Sequence, residues 1–358
     1  RIGDAMTTTA TGVDQAVVDM MGGVFAEHRE SRPPTVVAER DVELWHALDD
    51  LGLVRLTGDE ASGGSGAGWY EAAELLSAAV RAGVRIPLAE HDLLACWLLD
   101  ALGVPTDDGL VRTVCRLDER GVATDVPWVA GADRVVVVWR SEDSDHVADV
   151  DAATLDLTPG RNLIGEPRHT VAAGPGVRSA WAGLPAAAGM IEQLRLKSAL
   201  VRAIQVCAAL DRALELSIEH ATSRVQFGRP LSRFQAVQNL IADIAAEAAL
   251  ARSATEAALG AAVTSQWSGP SVAFLVAAAR SCAGHASSVV VRNAHQVHGA
   301  IGTTREHRLH EFTRAALAWR SEFGSVRYWD EWLTDAALSA GSSGLWSLIT
   351  GDVDTQPG

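Results

Sequence analysis

The chain has 358 residues, more than one ordinary core organises, so two or three domains are expected. Its 48% hydrophobic and 21% charged residues are the composition of a folded chain, not a disordered one. The formal charge of −15, from 30 basic and 45 acidic residues, excludes a general nucleic-acid binder and argues against an anionic membrane surface, because both need a net basic face. A local Arg pocket for a phosphorylated ligand stays open.

Four cysteines, Cys96, Cys115, Cys207 and Cys282, show no C-x-x-C and no metal spacing. They read as reduced thiols packed as small apolar residues, which sets a cytoplasmic location as the expectation. No stretch approaches the roughly 20 uninterrupted apolar residues of a membrane span. Arg1–Ala5, ahead of Met6, read as an added leader and not a signal peptide, since no apolar run follows. Lys197 is the only lysine, and Trp supplies 11 of the aromatics.

In chain order, residues 10–105 are helical in pattern. Val17, Val18, Met21, Val24 and Phe25 recur at helical spacing, as do Val42, Trp45, Leu48 and Leu51, with Gly52 as a stop. A Gly-rich loop at 58–66 leads to a helix over Trp69–Ala82, and an apolar helix follows over His91–Leu102. The Gly63, Gly64 and Gly66 cluster is not a nucleotide loop, because no strand precedes it and no Lys-Ser/Thr follows. Over 110–185 the β-branched run Arg134–Trp139 and the alternating Ala152–Leu157 predict strands of a small antiparallel β domain. From 186 the stripes Leu200, Ile204, Cys207, Leu210, Leu214, Ile218 and then Phe234, Val237, Ile241, Ile244, Ala248 predict long antiparallel helices. A third helix starts after Pro270, with Phe274, Ala278 and Cys282 on one face. The fold class is α+β: an N-terminal helical domain at 6–108, the β domain at 109–185, a C-terminal four-helix bundle at 186–342 and a flexible tail at 343–358.

Two segments carry chemistry. The first, Arg224-Val225-Gln226-Phe227-Gly228-Arg229-Pro230-Leu231, followed by Phe234-Gln235 and Gln238, interrupts two amphipathic helices. A plain turn explains Gly228 and Pro230, but not two Arg, a Gln and a Phe in six residues. Guanidinium and aromatic together suit a phosphate and the ring beside it. The second is Gln296-Val297-His298-Gly299-Ala300-Ile301-Gly302-Thr303, where glycine lets a ligand approach the backbone or simply caps a helix. His295 and His298 lack carboxylate or Cys partners in sequence, so they read as polar core or cofactor-side residues and no metal site is expected.

The pair, R-x-Q-F-G-R-P-L-x-x-F-Q-x-x-Q and, some 70 residues later, Q-x-H-G-x-x-G, resembles the acyl-CoA dehydrogenase family. Trp45, Leu51-Gly52-Leu53 and the acidic Gly-rich loop at Glu60–Gly66 agree, and the resemblance covers nearly the whole chain. It implies an oxidoreductase with FAD at a subunit interface. Carried over, Arg224 binds the pyrophosphate and Phe227 packs beside the adenine. Gln226, Gln296, Gly299 and Ala300 contact the same cofactor of a neighbouring subunit, Ala300 standing where a Gly is frequent. The implied substrate is an acyl-CoA thioester, with electron-transfer flavoprotein as a candidate acceptor.

The sequence departs from that family in two places. The stretch that carries the family's catalytic Glu reads Arg320-Ser321-Glu322-Phe323-Gly324-Ser325, so Phe323 aligns with the base and Glu322 lies one residue early. A residue's shift is about 100° on a helix. The alternative base position of some members falls near Ser198, which cannot act as one. The flavin-touching T-E-P-x-x-G-S-D stretch has only the stand-ins Thr124–Trp128 and Gly165-Glu166-Pro167. Three readings follow: an FAD-dependent acyl-CoA dehydrogenase with Glu322 as base; a non-catalytic subunit completing a partner's FAD site in a heterotetramer acting on bulky, steroid-type CoA thioesters; and a flavin monooxygenase of the same fold. Homo-oligomer and hetero-oligomer both stay open. The tryptophans at 319, 329 and 332 read as core packing.

Overall fold

A computed structural model describes residues 12–350 except 34 and 142. The expected leader Arg1–Ala5 lies outside the described residues. The chain forms two compact units that divide after Lys197.

The first unit begins with α1 (Gln15–Ser31), α2 (Val42–Asp50) and α3 (Trp69–Ala82). Asp14 and Asp41 cap α1 and α2 by accepting the N–H of Ala16 and Leu44. The next helix departs from expectation. Ala89–Cys96 is π-helical and passes into α4 (Trp97–Asp100). Glu90, His91 and Asp92, in a stretch that reads as apolar, are all buried. Asp92 accepts from Arg55 Nη1 at 2.8 Å, from Thr57 N at 2.9 Å and from Thr57 Oγ1 at 3.0 Å. These bonds, absent from any periodicity argument, compensate the burial.

Seven strands follow: β1 (Arg112–Arg116), β2 (Val122–Pro127), β3 (Arg134–Ser141), β4 (Ser144–Asp151), β5 (Asp156–Thr158), β6 (Arg168–Ala172) and, after the short helix α5 (Pro175–Ser179), β7 (Leu184–Pro185). They make a sheet of order β1-β3-β4-β7 and a sheet of order β2-β6-β5. A shared core includes Cys115, Val126, Val135, Val137, Val150 and Val171. The expected antiparallel pattern fails at one pair: β1 and β3 are parallel. The chain leaves the first sheet after β1, runs through β2 in the second, and re-enters as β3 in its original direction. The expected strand Ala152–Leu157 also differs. Ala152–Thr154 is a 3-10 turn capped by the Asp151 carboxylate, and β5 starts only at Asp156.

The second unit takes in α6 (Met190–Ser223, from Ser198 onward), a β8 (Val225–Gln226) and β9 (Arg229–Pro230) hairpin, α7 (Gln235–Thr264), α8 (Pro270–His298), α9 (Leu309–Trp319) and α10 (Val326–Thr350). Arg252 of α7 pairs with Asp211 of α6 at 3.0 Å. The Cys207 thiol meets Thr255 Oγ1 at 3.3 Å beneath that pair. α8 is the central helix, and its inner face differs from the expected one. Phe274, Ala278 and Cys282 are half-buried, while Val276, Ala279, Ala283, Ala286, Val290 and Ala294 are buried. Small residues let neighbours close in: a Cβ on Gly284 would lie 2.4 Å from Val326 Cγ2 of α10. By length and composition alone α8 could cross a membrane, yet Arg280 and Asn293 are buried on it. α10 is kinked at Gly341 (φ 65°) and runs to Thr350, so residues 343–350 of the expected tail are helical; the rest of that tail lies outside the described residues. Trp319 and Trp329 are core residues, as their sequence context suggests, and Trp332 is half-buried.

Candidate functional site

The Arg224 segment is a helix break that becomes a tight hairpin. Val225 pairs with Pro230 and Gln226 with Arg229, leaving a two-residue loop of Phe227 (φ 54°) and Gly228 (φ 77°). Two successive positive φ values are the geometry of a type I′ turn, which matches strand twist. Gly228 takes that conformation freely. Phe227 does so at a steric cost of about 1–2 kcal/mol. In return its ring stands outward, 92% exposed, touching the sheltered Phe234 edge-on at 6.2 Å. The Arg229 guanidinium covers the Phe234 ring at 4.1 Å. Arg224 and Gln226 are exposed beside it.

The Gln296 segment ends α8. Gly299, at φ 64°, caps the helix by donating its N–H to His295 O. Gln296, Gly299 and Ala300 are exposed, and a Cβ built on Gly299 meets nothing within 4 Å. The rings of His220 and His298 stack at 4.5 Å, which joins the last turn of α6 to the last turn of α8. Two motifs far apart in sequence thus meet at one end of the bundle. The contact that joins them pairs His298, inside the second motif, with His220, four residues before the first.

Glu322 is elsewhere. Its Oε2 accepts from Arg202 Nε at 2.8 Å, and Arg202 Nη1 donates to Gln205 Oε1 at 2.6 Å. Arg202 is 1% exposed and precedes His220 along α6 by roughly 27 Å of helix. The turn holding Glu322 is fixed from below by Arg280, whose Nη2 donates to the carbonyls of Arg320, Glu322 and Gly324 at 3.0, 2.7 and 3.1 Å. Burial, with the nearby Arg202 charge, pushes the Arg280 pKa down to about 9, which still leaves it cationic at neutral pH. Phe323 (φ 54°) and Gly324 (φ 110°) repeat the left-handed Phe-Gly step of the hairpin, and Arg202 lies over the Phe323 ring at 5.0 Å. The carboxylate that sequence nominates as a base is therefore already engaged by a buried guanidinium. Ser198 is buried on α6 and offers no carboxylate.

Of the two stand-ins in the β region, the first is exposed only at Thr124 and Asp125. Trp128 is buried, and Glu166 is paired internally with Arg168 at 2.7 Å. Sequence reasoning missed Arg202 and Arg280. The available signal was an Arg set within a core-facing stretch of each long helix, beside Leu200 and Ile204 or next to Ala279.

Residues 182–326 match the family model "Acyl-CoA dehydrogenase, C-terminal domain". Acyl-CoA dehydrogenase IpdE2 of Mycolicibacterium smegmatis is 28% identical over 282 residues, spanning 77% of this chain and 82% of the relative. Among solved structures, the ChsE4-ChsE5 complex from Mycobacterium tuberculosis superposes with a TM-score of 0.79 at 22% identity, covering 92% of this chain and 98% of that one. The Tcur3481-Tcur3483 steroid ACAD gives 0.78 at 20% identity, with 92% and 98% covered. At such identities the structural matches speak for the fold.

Proposed function

We propose that this chain, which belongs to the acyl-CoA dehydrogenase family of oxidoreductases, is the complementary subunit of an FAD-dependent pair that dehydrogenates an acyl-CoA thioester. It offers one half of the cofactor site to a partner chain that carries the base. The observation behind this reading is the Arg202–Glu322 pair at 2.8 Å, together with Phe323 in the position where the family places its base. An opposite charge at this distance favours the ionised carboxylate and so makes it a weaker base for a Cα proton, and this guanidinium is buried beside it.

The exposed end of the bundle fits the dinucleotide half of FAD. A ring that is 92% exposed, held outward by a left-handed backbone, is a stacking surface awaiting a partner. Arg224 places a guanidinium next to it for a diphosphate. Gln296 adds an amide, and the open space over Gly299 lets a ligand reach the backbone. When bound, FAD supplies the acceptor for the hydride leaving Cβ. Here Phe227 and Gln226 orient the adenine side, Arg224 neutralises the diphosphate, and Ala300 narrows the corner by one methyl group. The structural neighbours, a two-component complex and a steroid enzyme, support the reading of a heteromeric assembly and a bulky thioester substrate.

Purification of the chain alone and together with a base-carrying homologue tests this. The expected result is a colourless chain alone, and a yellow, acyl-CoA-oxidising complex with the partner. A yellow chain that turns over acyl-CoA by itself and loses activity in Glu322→Gln would overturn it. Oxygen uptake with a hydroxylated product would instead indicate the monooxygenase reading.

A further inference from the structure

We propose that His220, His298 and His307 form a binding site for one borderline divalent transition-metal cation of the Zn2+ class, next to the Arg224 corner but sharing none of its residues. The three imidazoles come from three elements: the last turn of α6, the final residue of α8 and the turn before α9. One nitrogen from each lies within 4.8 Å of the other two. Ring centroids are 4.5 Å apart for His220–His298, 4.6 Å for His298–His307 and 6.0 Å for His220–His307.

His298 points to a ligand independently of that proximity. It is 5% exposed, and its Nδ1 lies 2.8 Å from Ala294 O. Since a carbonyl only accepts, Nδ1 carries the proton and Nε2 holds a lone pair. That Nε2 is sealed from solvent and has no hydrogen-bond partner among the described residues. A backbone carbonyl on one imidazole nitrogen fixes the tautomer and orients the other nitrogen for a metal. A buried acceptor without a donor is rare enough to need a reason.

His307 is the member that must adjust. Its Nδ1 accepts the Leu309 N–H at 3.1 Å, so Nε2 carries the proton in the metal-free chain. Ligation through Nε2 moves that proton to Nδ1 and gives up the Leu309 bond, with no net proton change. The donors must also draw in, since nitrogens around a tetrahedral Zn2+ at about 2.05 Å sit roughly 3.3 Å apart. His220 and His307 are half-buried, so the cluster has an open side where water can complete four-coordination. Three neutral imidazoles with no carboxylate select Zn2+, Cu2+ or Ni2+ over Mg2+ or Ca2+. Gly302 is part of the construction: a Cβ there would fall 2.8 Å from His298 Cβ and displace that ring.

Titration of the chelator-treated chain with Zn2+ and, separately, with Co2+ reads this directly. One cation per chain is expected, with a visible Co2+ ligand-field band and no comparable uptake of Mg2+. His220→Gln and His307→Gln should each weaken Zn2+ binding at least about tenfold. His298→Gln should do the same; if that buried variant fails to fold, the two half-exposed variants still decide. His295→Gln, whose ring bonds Thr313 Oγ1 at 3.0 Å outside the cluster, should bind as the parent does. Absence of stoichiometric uptake by folded chain, or uptake unchanged in His220→Gln and His307→Gln, would overturn the proposal. The readout needs neither flavin nor a partner chain, so it stands or falls apart from the proposed function.

Discussion

Arg202 Nε and Glu322 Oε2 lie 2.8 Å apart, joining α6 to the turn between α9 and α10 across 120 residues of sequence. Because Arg202 is almost wholly buried, the pair behaves as a structural unit. Removing one partner strands the other charge, which costs about 3–5 kcal/mol. Glu322→Ala is therefore expected to lower stability by about 3 kcal/mol in denaturant unfolding. Glu322→Gln should leave turnover of the assembled enzyme unchanged. A base lost from that position would instead cost about 10²–10⁴-fold. Turnover assays of the Gln variant within the assembly separate the two.

Phe227 is expected to matter only in the assembly. Truncating an exposed side chain shifts stability by no more than about 0.5 kcal/mol. Covering the same ring with a ligand is worth about 1.5–3 kcal/mol, roughly ten- to a hundredfold in affinity. Phe227→Ala should thus melt like the parent yet release flavin from the complex on dilution, as followed by flavin fluorescence.

Arg280 holds three carbonyls of one turn with a single nitrogen. Arg280→Met should cost about 3 kcal/mol, since acceptors inside the bundle lose their donor. It should also disturb the near-ultraviolet signal of Trp329, against which Gly324 packs. Arg280→Lys restores one charged donor and should recover part of both. Equal loss in the Met and Lys variants would show that the fork geometry, not the charge, sets the turn.

Lys197 gives a pH signature in the first unit. Its ammonium lies 4.8 Å from the Trp69 ring centroid and 4.5 Å from that of Trp97. Burial pushes its pKa from 10.5 down to about 7, with the two ring faces working the other way. Between those values the unfolded chain binds more protons than the folded one. Stability from this group therefore rises with pH from about 7 to 10.5, by up to about 1.4 kcal/mol per unit, and is lowest below 7. Lys197→Met should remove that slope in unfolding measured across the same range. A slope that survives the substitution would assign it to other groups.

The Trp69–Ala82 helix was legible residue for residue. An apolar stripe lies between Gly68, whose N–H bonds the Glu71 carboxylate at 3.0 Å, and Gly83 at φ 76°, and each of these signals is local. The helix break at Gly228-Pro230 was legible for the same reason. The π-helical stretch was not, because Asp92 is buried against Arg55 and Thr57 and His91 against the Arg112 backbone, partners that no window around residue 90 contains. The parallel β1–β3 pair was also hidden, since direction depends on which sheet β2 joins.

By itself the sequence determined the order of helical and β regions and set out the Arg224 and Gln296 motifs that resemble the acyl-CoA dehydrogenase family, because periodicity and compact motifs are properties of neighbouring positions. The tertiary structure alone decided that Glu322 is held by a guanidinium and that three histidines from separate helix ends share one corner. Charge pairing and ligand convergence depend on distance in space, and two side chains 120 positions apart carry no local mark of being 2.8 Å from each other.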